Sequence, residues 1–207
     1  MGERRAREDR RRAREFEVFV AGAAGRLLHA ATLLTGEPFG SAPAAQELLV
    51  AALSRTYADW DRLRGEDPYE HTRQEIALRF AHTARRYRRP RGGMLAGLPP
   101  RERLMLVLRL YEGVAEEQVA ASLGLPVERV RTLCTRAMAQ VLSGGAGSVT
   151  VGDADGDRDA DRSQDAEADA AGGVVSLVVS RMTAGLRHRG AGAGDRAGRG
   201  PEEASQC

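Results

Sequence analysis

Apolar positions recur at helical spacing in four stretches of the chain. Phe16, Phe19, Val20, Ala23, Ala24, Leu27, Leu28 and Ala31 follow steps of three and one, which predicts a helix with one apolar stripe ending near Gly36. The preceding residues 1–15 (MGERRAREDRRRARE) mix charges without an apolar face, so they are expected to fray from that helix or to extend it. After the loop GEPFGSAP, Leu48, Leu49, Ala52, Leu53, Tyr57 and Trp60 predict a second amphipathic helix that closes before Gly65. Asp67 and Pro68 suit the N-cap and first position of a third helix, which runs through Ile76, Phe80 and Ala84 to Tyr87. RPRGGMLAG then breaks helical order, and LPPRERL starts another helix with Leu104, Val107, Leu108 and Tyr111 facing inward. The pattern predicts an all-α fold of two small helical domains, 16–89 and 98–142, joined by a short linker at 90–97.

Beyond Leu142 the character changes. Residues 143–207 are rich in acid, Gly and Ala, and such a composition cannot bury enough surface to offset the entropy of ordering, so a disordered tail is expected. Within it, VVSLVVSRMTAGL at 174–186 could form a short helix or strand on a partner surface, yet it is too short to span a bilayer.

Residues 115–141 fit a helix-turn-helix. Val119 and Ala120 face inward on the first helix, Gly124 falls where the turn needs positive φ, and Val130, Leu133, Cys134 and Ala137 hold the second helix to the core. Such a second helix enters the major groove. It would present Glu128, Arg129, Arg131, Thr132, Thr135 and Arg136 outward, where they can meet guanine edges or phosphate oxygens. An amphipathic helical hairpin with arginines on its wet face is the plainer alternative for this segment taken alone.

Two further segments give a resemblance. LPPRERLMLVLRLYEGVAEEQVAASLGLPVERVRTLCTRAMAQV resembles region 4 of the extracytoplasmic-function (ECF) sigma factors of the sigma-70 family. FEVFVAGAAGRLLHAATLLTGEPFGSAPAAQELLVAALSRTYADWDRL, followed by DPYEHTRQEIALRFAHTARRYRR, resembles their region 2. The two occur in the family's order and cover about 16–142, and LLTGEP, SRTYADWDRL and LPPRERLMLVLRLYE are similar to actinobacterial members. The resemblance implies that region 2 docks on core RNA polymerase and captures the minus-ten promoter element, while region 4 binds the minus-thirty-five element. Carried over by position, Arg79, His82, Arg85, Arg86 and Tyr87 would hold minus-ten DNA, and Gln46 and Glu47 would touch the polymerase. Guanidinium groups pin phosphates and aromatic rings stack on splayed bases; a core position at the end of the third helix is the other reading of Tyr87.

The sequence also departs from the family. Val50 and Ala51 stand where glutamine and glutamate are usual, Leu78 where asparagine is frequent, and only eight residues separate Arg89 from Leu98. Fully extended, those eight reach at most roughly 27 Å.

Charge sharpens the picture. The net charge of +2 hides seven Arg against one Glu in 71–91 and eight acids against two Arg in 151–170, so the acidic stretch could cover the basic surface as a phosphate mimic, with an effect that salt weakens. All 31 basic residues are arginine, which points to GC-rich coding more than to a selected chemistry. The run DADGDRDAD fails the calcium-loop template because Gly156 falls between Asp155 and Asp157. His29, His71, His82 and His188 are scattered, and His29 reads as a packing residue. Neither a zinc site nor a Cys-His nucleophile is supported, and Cys134 and Cys207 fit a reducing compartment.

The expected protein is therefore not an enzyme, carries no cofactor or metal, and is cytoplasmic, without a membrane or small-molecule partner. Its partners would be core RNA polymerase, promoter DNA and an anti-sigma factor. The alternative is a diverged sigma-like or LuxR-like helix-turn-helix regulator that binds DNA or a partner without initiating transcription.

Overall fold

A computed structural model describes residues 2–145, which form six α-helices and, among the described residues, no strand. The expectations for the tail beyond 145, including 174–186 and the calcium-like run, lie outside the described residues.

Helix α1 (Gly2–Thr35) begins well before the apolar stripe, so the charged 1–15 segment extends it. Pairing explains the extension: Arg11 meets Glu15 one turn on, and Arg12 reaches Asp61 at 3.1 Å while its guanidinium lies 4.5 Å from the Tyr57 ring centre. By length and composition α1 could cross a membrane, but 61% of its most apolar 18-residue window is buried inside the protein. All the stripe residues except half-buried Phe19 are buried.

Helix α2 (Pro43–Asp59) has no side-chain cap from its own N-cap, Ala42. Glu37 performs that task from the preceding loop, accepting from the backbone N–H groups of Ala44 (3.3 Å) and Ala45 (3.0 Å), where the helix dipole favours a carboxylate. Helix α3 (Pro68–Thr83) is capped by Asp67, which accepts from the Tyr69 N–H at 2.8 Å, and tightens into a 3-10 turn at Ala84–Tyr87. Helix α4 (Pro100–Leu106) widens into a π turn at Val107–Tyr111, in which the Glu112 N–H returns to the Val107 carbonyl at 2.9 Å. Every residue from Glu102 to Leu108 is buried, so α4 is a central helix, enclosed on all sides. Helices α5 (Glu116–Leu123) and α6 (Val127–Gly145) complete the fold, α6 ending three residues past the expected boundary.

The packing places α1 on α2, α2 on α3, and α4 against α1, α3 and α6. One core cluster runs from Phe16 through Leu53 and Phe80 to Leu104, Val119 and Leu133, so the two halves share it. Three polar ties fasten the joint. The buried Glu112 carboxylate accepts from the Tyr69 hydroxyl at 3.0 and 3.1 Å and lies 3.8 Å from Arg26. Segment 90–97 folds back onto the α1–α2 turn, with Gly93 N–H on the Gly36 carbonyl and Arg91 on Glu37 at 3.2 Å. Arg103, 1% exposed, donates to the Tyr87 carbonyl, and among the described residues its Nε has no hydrogen-bond partner; burial and then the nearby Arg91 pull its pKa down to about 10.

Candidate nucleic-acid interface

The turn between α5 and α6 is built as the sequence demands. Gly124 takes φ +63°, and the Leu125 N–H returns to the Ala120 carbonyl at 2.9 Å, closing α5 with a left-handed residue. Val119 and Val130 are fully buried where the two helices cross, and Leu133 and Ala137 continue the inner face of α6. That fixes the rotation of α6. Glu128, Arg129, Arg131, Thr132, Thr135 and Arg136 all lie exposed.

Their local bonding differs. The Thr132 and Thr135 hydroxyls donate to the carbonyls of Glu128 (2.7 Å) and Arg131 (3.0 Å), leaving each oxygen only as an acceptor. Arg131 forks onto Glu116 at the start of α5, with Nε at 3.2 Å and an Nη at 3.0 Å. Arg136 reaches back to Glu102, 3% exposed, at 3.3 Å, so it ties α6 to α4 as well as facing solvent. Among the described residues, Arg129 has no carboxylate partner in an ion pair. An exposed ion pair contributes about 0–1 kcal/mol, so releasing Arg131 to a phosphate or a base costs little.

The third-helix residues divide in the same way. His82, Arg85 and Arg86 are exposed, while Arg79 is half-buried and paired with Glu75 at 3.3 Å. Tyr87 is buried: its ring stacks on Phe80 with centroids 5.2 Å apart, and the Arg91 guanidinium stands 5.2 Å from its centre. That ring offers no open face to a base, and its place at the end of α3 is a packing position. Gln46 is half-buried and Glu47 exposed on α2, whereas Val50 is 2% exposed and belongs to the core. His29 stacks on Tyr111 at 4.9 Å and lies 4.5 Å from Phe39, a packing role. Burial raises the Cys134 thiol pKa.

Parts of the two expected DNA-binding sets meet. A cleft of about 450 Å3 opens between the end of α3 and the start of α6, and His82, Arg85 and Arg88 face Arg101, Arg129 and Arg136 across it. Arg131, Thr132, Glu128 and Thr135 lie outside this cleft, on the outer side of α6.

Sequence reasoning missed Glu37, Glu102, Arg103 and Glu112. Each acts through a partner far along the chain, Glu37 with Arg91, Glu102 with Arg136, Arg103 with Tyr87 and Glu112 with Tyr69, and no local pattern marks any of them. Among the described residues no cluster of His, Cys, Asp and Glu has a geometry suited to a metal.

No curated protein and no solved structure matches the chain. Residues 94–141, which hold α4, the π turn, α5 and most of α6, match the family model for sigma-70, region 4.

Proposed function

We propose that the protein is an ECF-type sigma factor that binds core RNA polymerase and directs it to promoters. The observation that carries this reading is α6: a helix locked in rotation by Val130, Leu133 and Ala137, presenting six polar residues within the segment that matches sigma-70 region 4. In this role Arg131, Thr132, Thr135 and Glu128 meet base edges of a minus-thirty-five element, and Arg129 and Arg136 hold phosphates beside it. His82, Arg85 and Arg86 contact minus-ten DNA, with Arg79 supporting them from its pair with Glu75. Gln46 and Glu47 supply the polar contact with polymerase on α2. The activity is non-catalytic, and an anti-sigma partner belongs to the same reading.

Arg129 and Arg136 share a narrow cleft with His82 and Arg85. Use of both sets on duplex DNA therefore requires the halves to move apart, and polymerase is the partner that would hold them so. The second reading, a sigma-like regulator that acts without initiating, is favoured by one observation: the shared core and the buried Arg103 joint keep the halves together.

The test is co-elution of the purified chain with core RNA polymerase, followed by transcription from a genomic promoter library. Binding with promoter-dependent transcripts supports the sigma reading. A folded chain that binds DNA but neither binds polymerase nor yields transcripts supports the regulator.

A further inference from the structure

One unexplained surface of the molecule is apolar. Between the end of α1, the 90–97 segment, the π turn and the end of α6 lies a groove of about 290 Å3 whose walls carry no polar side chain other than the Tyr111 phenol. Of seven exposed large hydrophobic residues among those described, five line it: Met94, Leu110, Met138, Val141 and Leu142. Leu110 and Leu142 are 64% and 72% exposed, values that an isolated surface position tolerates but that a contiguous group does not explain.

We infer that this groove is the docking site of the chain's own segment 174–186, VVSLVVSRMTAGL. Three observations select this occupant. The groove asks for apolar chemistry, and in 146–207 Leu, Val and Met occur only at 149, 151 and within 174–186. Seven of the thirteen residues of that segment are Val, Leu or Met, which makes it as unusual among its neighbours as the groove is on the surface. The tether also fits: α6 ends at Gly145, three residues after Leu142 on the groove's wall, and 28 residues lie between Gly145 and Val174. A chain of 28 residues at random-coil dimensions would span about 30 Å root-mean-square, and a ligand tethered at that length would reach an effective concentration on the order of millimolar. A free partner would have to compete with that. The inference does not depend on promoter reading, since it uses no DNA-facing residue.

The test places the photo-reactive residue p-benzoylphenylalanine at Leu110 in the full chain, irradiates a dilute solution and maps the adducts by mass spectrometry. The expected result is an adduct at monomer mass that joins position 110 to the 174–186 peptide, unchanged in yield on tenfold dilution. The double variant Leu177→Asp, Val178→Asp should lose this adduct while keeping the helical circular dichroism of the parent. The same probe at exposed Val18, 15 residues before Leu33 and so about 22 Å along α1, should give no such adduct. Adducts at dimer mass would assign the groove to a second copy, and an absence of adducts to 174–186 would leave it to another protein; either result overturns the inference.

Discussion

Gly36 is the position where a single methyl group meets the joint between the halves. Its φ is +70°, and a Cβ there would stand 2.2 Å from an Arg103 guanidinium nitrogen and 3.3 Å from the Ala96 backbone. Gly36→Ala should therefore lower unfolding stability by about 1–3 kcal/mol, read as a reduced midpoint in urea. Arg131 is the contrasting case. Its pair with Glu116 is exposed, so Arg131→Ala should change stability by less than about 1 kcal/mol, yet weaken binding to a cognate site by about 1–3 kcal/mol if the guanidinium reads a base. Parallel urea melts and fluorescence-anisotropy titrations separate the two effects. Arg136 would not separate them, because its loss also strips buried Glu102 of its ion-pair partner.

At the scale of elements, the tie between the start of α3 and Glu112, just past the π turn, carries a pH signature. Burial first, then the charge of Glu112 and its hydrogen bond, hold the Tyr69 hydroxyl pKa well above its ordinary value. A folded-state pKa above the unfolded one contributes stability that is complete below about pH 10 and falls away as pH rises past it. Tyr69→Phe should lower Tm at neutral pH and flatten its alkaline decline. The difference between the two Tm profiles from pH 8 to 11 isolates this group, since Arg103, whose lowered pKa acts with the opposite sign, is common to both. The elements differ in how far sequence exposed them. The stripe of α1, the Asp67 cap, and the inner face Val119, Val130, Leu133 and Ala137 were legible because helical period and cap chemistry are local. The Glu37 cap, the π turn and the folding back of 90–97 were not: the cap comes from outside its helix, the π turn differs from an α turn by one residue of register, and the ties across the joint pair residues far apart in sequence, Glu37 with Arg91, Tyr69 with Glu112 and Arg103 with Tyr87. The same distinction holds within the site. The outward face of α6 followed from its inward face, whereas Tyr87 has a pattern that serves stacking on Phe80 and stacking on a base equally well, and tertiary packing decides between them.

On the scale of the whole molecule, the continuous core makes the halves one cooperative body over the described residues. Unfolding should be a single transition, with the fluorescence of Trp60, beside Phe16 at 5.1 Å, coinciding with loss of helical circular dichroism. Two separated transitions would show that the halves are stable apart. The same packing brings His82 and Arg85 into one cleft with Arg129 and Arg136, while Arg131 stays on the outer side of α6. In the proposed function, α6 reads DNA on behalf of RNA polymerase. Its most direct test is transcription by core polymerase reconstituted with the protein or with Arg131→Ala, on a promoter library randomised upstream of the start site. Transcripts should depend on the protein, with Arg131→Ala relaxing selection at a few adjacent bases in the minus-thirty-five region and leaving the minus-ten preference intact. Protein-dependent transcripts whose selected bases are identical for both proteins, or no transcripts from a chain shown to be folded, would contradict it.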